Sequence, residues 1–96
     1  MGALLVTAAG CTGAIPRVDA QVVATARGRG YAGDPGRLES GRDLYVRRCG
    51  SCHSLHAPAE QDPAGWTKVL VVMGRKARLD ADQSALVLDY LQATAR

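Results

Sequence analysis

The chain has 96 residues, room for one domain, and only four aromatic side chains (Tyr31, Tyr45, Trp66, Tyr90) within a 47% hydrophobic composition. A chain this short and this poor in large rings rarely builds a core that outweighs its conformational entropy, so a staple is expected: a metal, a cofactor, disulfides or a partner. The formal charge of +3 comes without a Lys/Arg block, which excludes a nucleic-acid patch, and no apolar run reaches the ~18 residues of a stable membrane span. Three cysteines, an odd number, argue against a closed disulfide framework.

Residues 1–11 carry no charge, are mostly small and apolar, and end in Ala8-Ala9-Gly10-Cys11. A short apolar stretch closing on small residues is the pattern of an export signal, although the usual basic start is missing. The ending resembles the lipobox of bacterial lipoproteins, with Ala8 where Leu is commoner. That resemblance implies acylation of Cys11 and a membrane attachment, since two or more acyl chains are needed for stable retention. The alternatives are an ordinary signal that happens to contain a cysteine, with Ala24-Thr25-Ala26 as a second cleavage site, or an untargeted tail. Either export route places the protein outside the cytoplasm, in the periplasm.

Residues 12–37 read as a flexible linker, punctuated by Gly13, Pro16, Gly28, Gly30, Gly33, Pro35 and Gly36. Val18–Ala26 has the makings of a helical turn or two, and nothing demands more. As a tether the stretch would reach about 25–30 Å.

Three helices are expected in the domain that follows, 38–96. Asp34-Pro35 is a start signal, a capping side chain followed by a proline at the first helical position. From there Leu38, Gly41, Leu44, Tyr45 and Arg48 keep helical spacing up to Cys49. Asp62-Pro63 repeats the device ahead of Trp66, Val69, Leu70, Met73 and Ala77, an apolar stripe at helical spacing. Asp80 with Gln83 forms a capping box for a third helix, whose inward stripe is Ser84, Val87, Leu88, Leu91 and Ala95, with Tyr90 flanking it. Nothing reads as a strand, and the fold class is all-α.

The chemistry is concentrated in Cys49-Gly50-Ser51-Cys52-His53, the C-x-x-C-H pattern of c-type haem attachment. Two thiols that add across the porphyrin vinyl groups must stand a fixed distance apart on one helical turn. The next residue then rises beneath the iron, where a neutral imidazole nitrogen binds it. The macrocycle also supplies the apolar area that the chain's own side chains lack. Two other readings exist. A thiol-redox C-x-x-C usually follows a strand, and none precedes this one. A zinc site would draw on Cys49, Cys52, His53 and His56, but structural zinc normally takes its ligand pairs from two separated segments.

With these residues in view, the stretch Leu38–Ala95, about three-fifths of the chain, resembles a small bacterial class I cytochrome c. In that family a Gly lies eight residues before the first haem Cys and an aromatic four before it, the places of Gly41 and Tyr45. The last helix crosses the first through a Tyr-Leu pair with an aliphatic three residues earlier, matched by Val87, Tyr90 and Leu91. Gly41 would let those helices approach closely. The resemblance implies a three-helix fold wrapped around one covalently attached haem, with Cys49, Cys52 and His53 holding haem and iron.

It also implies a methionine as the second iron ligand, and Met73 is the only one outside the leader-like stretch. Met73 as ordinary core filler is the alternative. His56, three residues after His53, belongs on the proximal side. Pro58 resembles the family's proline near the iron-bound imidazole, and the carbonyl of Ala57 or Pro58 is expected to accept its second nitrogen. Trp66 is expected to donate its indole N–H either to a haem propionate or to a solvent partner.

A six-coordinate haem leaves no open position for a substrate, so the expected work is one-electron transfer between exported redox proteins rather than enzymatic turnover. Arg47, Arg48, Lys68, Arg75, Lys76 and Arg78 are expected to form a basic rim for an acidic partner, although for any one of them a solvated helix surface is the readier reading. Without the Met73 ligand the haem would be five-coordinate, and the protein a gas-binding sensor or weak peroxidase.

Overall fold

The computed structural model describes residues 15–50 and 55–96. Four α-helices follow in chain order among them: α1 Ala20–Gly28, α2 Pro35–Leu44, α3 Pro63–Lys76 and α4 Ala81–Thr94. No strand occurs among the described residues. A π-helical turn, Tyr45–Cys49, continues α2, and a short 3-10 turn, Pro58–Glu60, precedes α3.

Each expected start signal acts as a cap, because the first N–H groups of a helix lack intrahelical acceptors. Asp34 accepts from the Gly36 N–H at 3.1 Å, with Pro35 following at the first helical position. Asp62 accepts from Gly65 at 2.7 Å. Asp80 and Gln83 cap reciprocally, at 2.8 and 3.1 Å. Helix α3 ends on Arg78, whose φ of 58° is left-handed, while the Leu79 N–H closes on the Gly74 carbonyl at 2.9 Å.

The core lies where α2 crosses α4, with α3 against α4 on one side. Leu44, Tyr45, Trp66, Val87, Tyr90, Leu91 and Ala95 form its buried centre. Gly41 sets the crossing distance: a Cβ on it would lie 2.8 Å from the Leu86 carbonyl carbon and 3.0 Å from the Tyr90 Cβ. Tyr90 does not flank the inward stripe of α4 but sits wholly inside it, at 0% exposure. Its hydroxyl reaches the Pro16 carbonyl, which also accepts from Arg42 Nε at 2.9 Å. That donor–acceptor pairing is why so polar an atom lies in the core.

The segment read as a linker contains α1. Asp19 caps it, Ala26 is fully buried against Leu38 and Ala93, and Val22, Val23 and Tyr31 pack around them. Gly30, at φ 83°, turns the chain at its end. Arg29 then donates to the carbonyls of Gln92 (2.6 Å) and Ala95 (2.9 Å), at the electronegative end of α4. A nine-residue helix is marginal alone, so α1 owes its order to these tertiary contacts, which local periodicity does not announce.

Candidate functional site

The π-helical turn carries Cys49 to the end of α2 and leaves it partly buried on the rim of an apolar cleft. Tyr45, Leu55, His56, Trp66, Val69, Leu70 and Met73 line the rest. A contiguous, more open cavity of about 250 Å³ adds Glu60 and Gln61 around His56, Trp66, Val69 and Met73. Because α3 presents Trp66, Val69, Leu70 and Met73 at i, i+3, i+4 and i+7, one helical face supplies most of one wall. The stripe expected on α3 is therefore a cleft wall, and its Met73 looks onto the same space as Cys49. Cys52 and His53 lie outside the described residues, as does Cys11.

Trp66 is buried, and its indole N–H donates to the Pro58 carbonyl at 2.7 Å. In this structure that donor is engaged by a backbone carbonyl rather than by solvent. The reason is local: Pro58 is buried, and its carbonyl otherwise accepts only from the Gln61 N–H, at 3.4 Å. Position on a stripe identifies the face a tryptophan presents, not the acceptor its nitrogen finds.

Tyr45 does more than mark the helix crossing. Its ring stands edge-on to Trp66, with centroids 6.1 Å apart and planes at 80°, and lies tilted against Tyr90 at 6.3 Å. Its hydroxyl donates to the His56 carbonyl. Burial, with added repulsion from the neighbouring Cys49, pushes the hydroxyl well above the ordinary tyrosine range, so it stays a donor. Burial likewise raises Tyr90, to about 12.

His56 has an exposed side chain, and its Nδ1 lies 3.0 Å from Glu60 Oε1. The other Glu60 oxygen accepts from the Ala57 N–H at 3.0 Å. The Ala57 hydrogen bond first, and His56 second, hold the Glu60 carboxyl below its ordinary value. Two contributors were not legible as site residues. Leu55 lines the cleft, and its only signal was being the first large apolar side chain after the C-x-x-C-H motif. Glu60 organises the chain after the motif, and its signal was the i, i+4 spacing from His56.

Of the residues expected on a basic rim, Arg47 is exposed and Arg48 half-buried. Arg47 pairs with Asp43 at 2.7 Å, and Arg48 donates to the Ala77 carbonyl at 2.9 Å, closing the end of α3. Lys68, Arg75, Lys76 and Arg78 are exposed, and between Pro63 and Leu79 the chain has no acidic residue. Val71 and Val72 are exposed among them, at 61% and 48%.

Comparison of the chain with protein-family models, with curated proteins and with solved structures found no match.

Proposed function

We propose that this chain is an exported electron carrier for one covalently attached c-type haem, which Cys49 and Cys52 would hold through their sulfurs and His53 and Met73 through the iron. The observation that carries the reading is that Cys49, the first cysteine of C-x-x-C-H, and Met73 line the same apolar cleft. The lining suits the group. Tyr45, Leu55, Trp66, Val69 and Leu70 offer a wall for a flat, largely apolar macrocycle, and a thioether and a thiol lie among them. The close α2–α4 crossing at Gly41 supports the finer assignment, a class I cytochrome c fold made of α2, α3 and α4 with α1 added.

When bound, the haem supplies an iron that takes up and returns one electron. The chain's own residues do the rest. Cys49 and Cys52 tether the cofactor against loss in an open compartment. His53 gives a neutral imidazole, and the soft thioether of Met73 favours the reduced state. The apolar wall excludes water and keeps the surroundings alike in both redox states. With His53 and Met73 both bound to it, the iron would offer a substrate no open site, which is the reading of a carrier rather than an enzyme. Lys68, Arg75, Lys76 and Arg78 would draw an acidic redox partner, in an association that weakens as salt rises. Export follows from residues 1–11, with Cys11 as the acylated attachment to the membrane.

Expression with haem-maturation machinery, followed by visible and near-infrared spectroscopy, tests this. The expected result is a six-coordinate c-type spectrum, with a weak near-infrared sulfur-to-iron band in the oxidised protein that Met73→Leu abolishes. Ready binding of carbon monoxide by the reduced wild type at neutral pH would favour the five-coordinate sensor or weak peroxidase. Zinc without a Soret band would favour the zinc module.

A further inference from the structure

We propose that the Tyr45 hydroxyl is a positioning group that bridges the two flanks of the C-x-x-C-H segment and so holds the ends of the haem-attachment segment at a fixed separation. The proposal rests on the haem reading above.

Tyr45 and Cys49 stand one turn apart on the helix that enters the motif. The chain leaving the motif is held at several points, and most of them lie well past it. Glu60 accepts from the Ala57 N–H, and Trp66 donates to the Pro58 carbonyl. Arg96 donates to the carbonyls of Glu60 (2.9 Å, guanidinium) and Gln61 (3.1 Å, backbone N–H). The Tyr45 hydroxyl instead reaches the His56 carbonyl, three residues from His53. One side chain thus ties the helix bearing the first cysteine to the backbone that leaves the histidine.

Packing does not require that oxygen. The ring contacts to Trp66 and Tyr90 would serve a phenylalanine equally well. A buried hydroxyl costs free energy unless it is paired, so its presence in an apolar wall has to be offset by what it holds. A tyrosine hydroxyl keeps its proton through the neutral range, and burial holds this one more tightly still. Metal-bound imidazoles depend on the groups that fix their backbone and ring orientation, and loss of such a group changes the electronic environment of the metal.

The test compares haem-loaded wild type, Tyr45→Phe and Tyr90→Phe, the last removing an equally buried hydroxyl that reaches a carbonyl elsewhere. Amide exchange at Ala57 and Glu60 and the g values of the oxidised protein are the readouts. Loss of one hydrogen bond permits local opening up to about tenfold more often. Tyr45→Phe is therefore expected to speed exchange at these amides by up to that factor and to shift the g values, and Tyr90→Phe to do neither. Haem-loaded Tyr45→Phe that matches Tyr90→Phe in both readouts overturns the proposal and leaves the haem reading standing. A wild type that takes up no haem overturns both. Should Tyr45→Phe fail to accumulate, nuclear magnetic resonance of the reduced wild type decides. A slowly exchanging Tyr45 hydroxyl proton near His56 supports the bridge, and a freely exchanging one contradicts it.

Discussion

Gly41 on α2 faces the Leu86 carbonyl of α4 so closely that a Cβ would lie 2.8 Å from the carbonyl carbon. Both partners of that near-contact are backbone, on two helices that meet along the length of the core. Neither can rotate away as a side chain would.

Gly41→Ala therefore has an informative sign. In an exposed helix the change would stabilise by about 1 kcal/mol. Here it is expected to destabilise by roughly 1–3 kcal/mol, as overpacking does, or to prevent haem loading. Denaturant unfolding of the loaded protein measures it, and a stabilised variant would mean that the two helices do not cross there.

Arg78 offers the opposite case. Its left-handed φ of 58° ends α3, a conformation that costs a residue with a Cβ about 1 kcal/mol relative to glycine. Arg78→Gly should raise the midpoint of unfolding by a corresponding amount, and should leave the absorption spectrum of the loaded protein unchanged.

Docking of α1 makes a prediction that a loose tether would not. Arg29→Ala removes two hydrogen bonds to the end of α4 and should cost about 1–3 kcal/mol, with faster exchange of the α1 amides. Leu38→Ala, which empties the centre of the small core under α1, should cost roughly 2–5 kcal/mol. Wild-type stability in both variants would show that α1 does not dock.

Tyr90 predicts an alkaline loss of stability. Burial raises its folded-state pKa to about 12 from an ordinary value of 10.0, so the folded chain holds the proton more tightly than the unfolded one. The resulting stabilisation is present in full below pH 10 and is lost as pH rises through about 12. The free energy of unfolding, measured from pH 8 upward, should fall less steeply in Tyr90→Phe than in wild type, and parallel curves would count against the buried hydroxyl.

Much of this fold was readable residue by residue. Asp34, Asp62 and Asp80 announced three helix starts because their caps need only neighbours in sequence. The resemblance carried by Gly41, Tyr45, Val87, Tyr90 and Leu91 implied a crossing of the first and last helices of the domain. What stayed hidden depends on distant partners. Helix α1 lies in a stretch punctuated by Pro16, Gly28, Gly30 and Gly33, and is ordered by Leu38, Ala93 and the end of α4. The indole of Trp66 and the hydroxyl of Tyr45 find backbone acceptors whose positions no local pattern gives. The apolar stripe with Met73 was legible as a face, and the cleft it borders only from the assembled helices.

Mass spectrometry of the chain, produced alongside haem-maturation machinery and then alkylated, tests the central claim most directly. The account predicts a peptide spanning Cys49 to His53 that carries one haem, with both of its thiols resistant to alkylation. A haem-free peptide with both cysteines alkylated, from material produced alongside working maturation machinery, would contradict it.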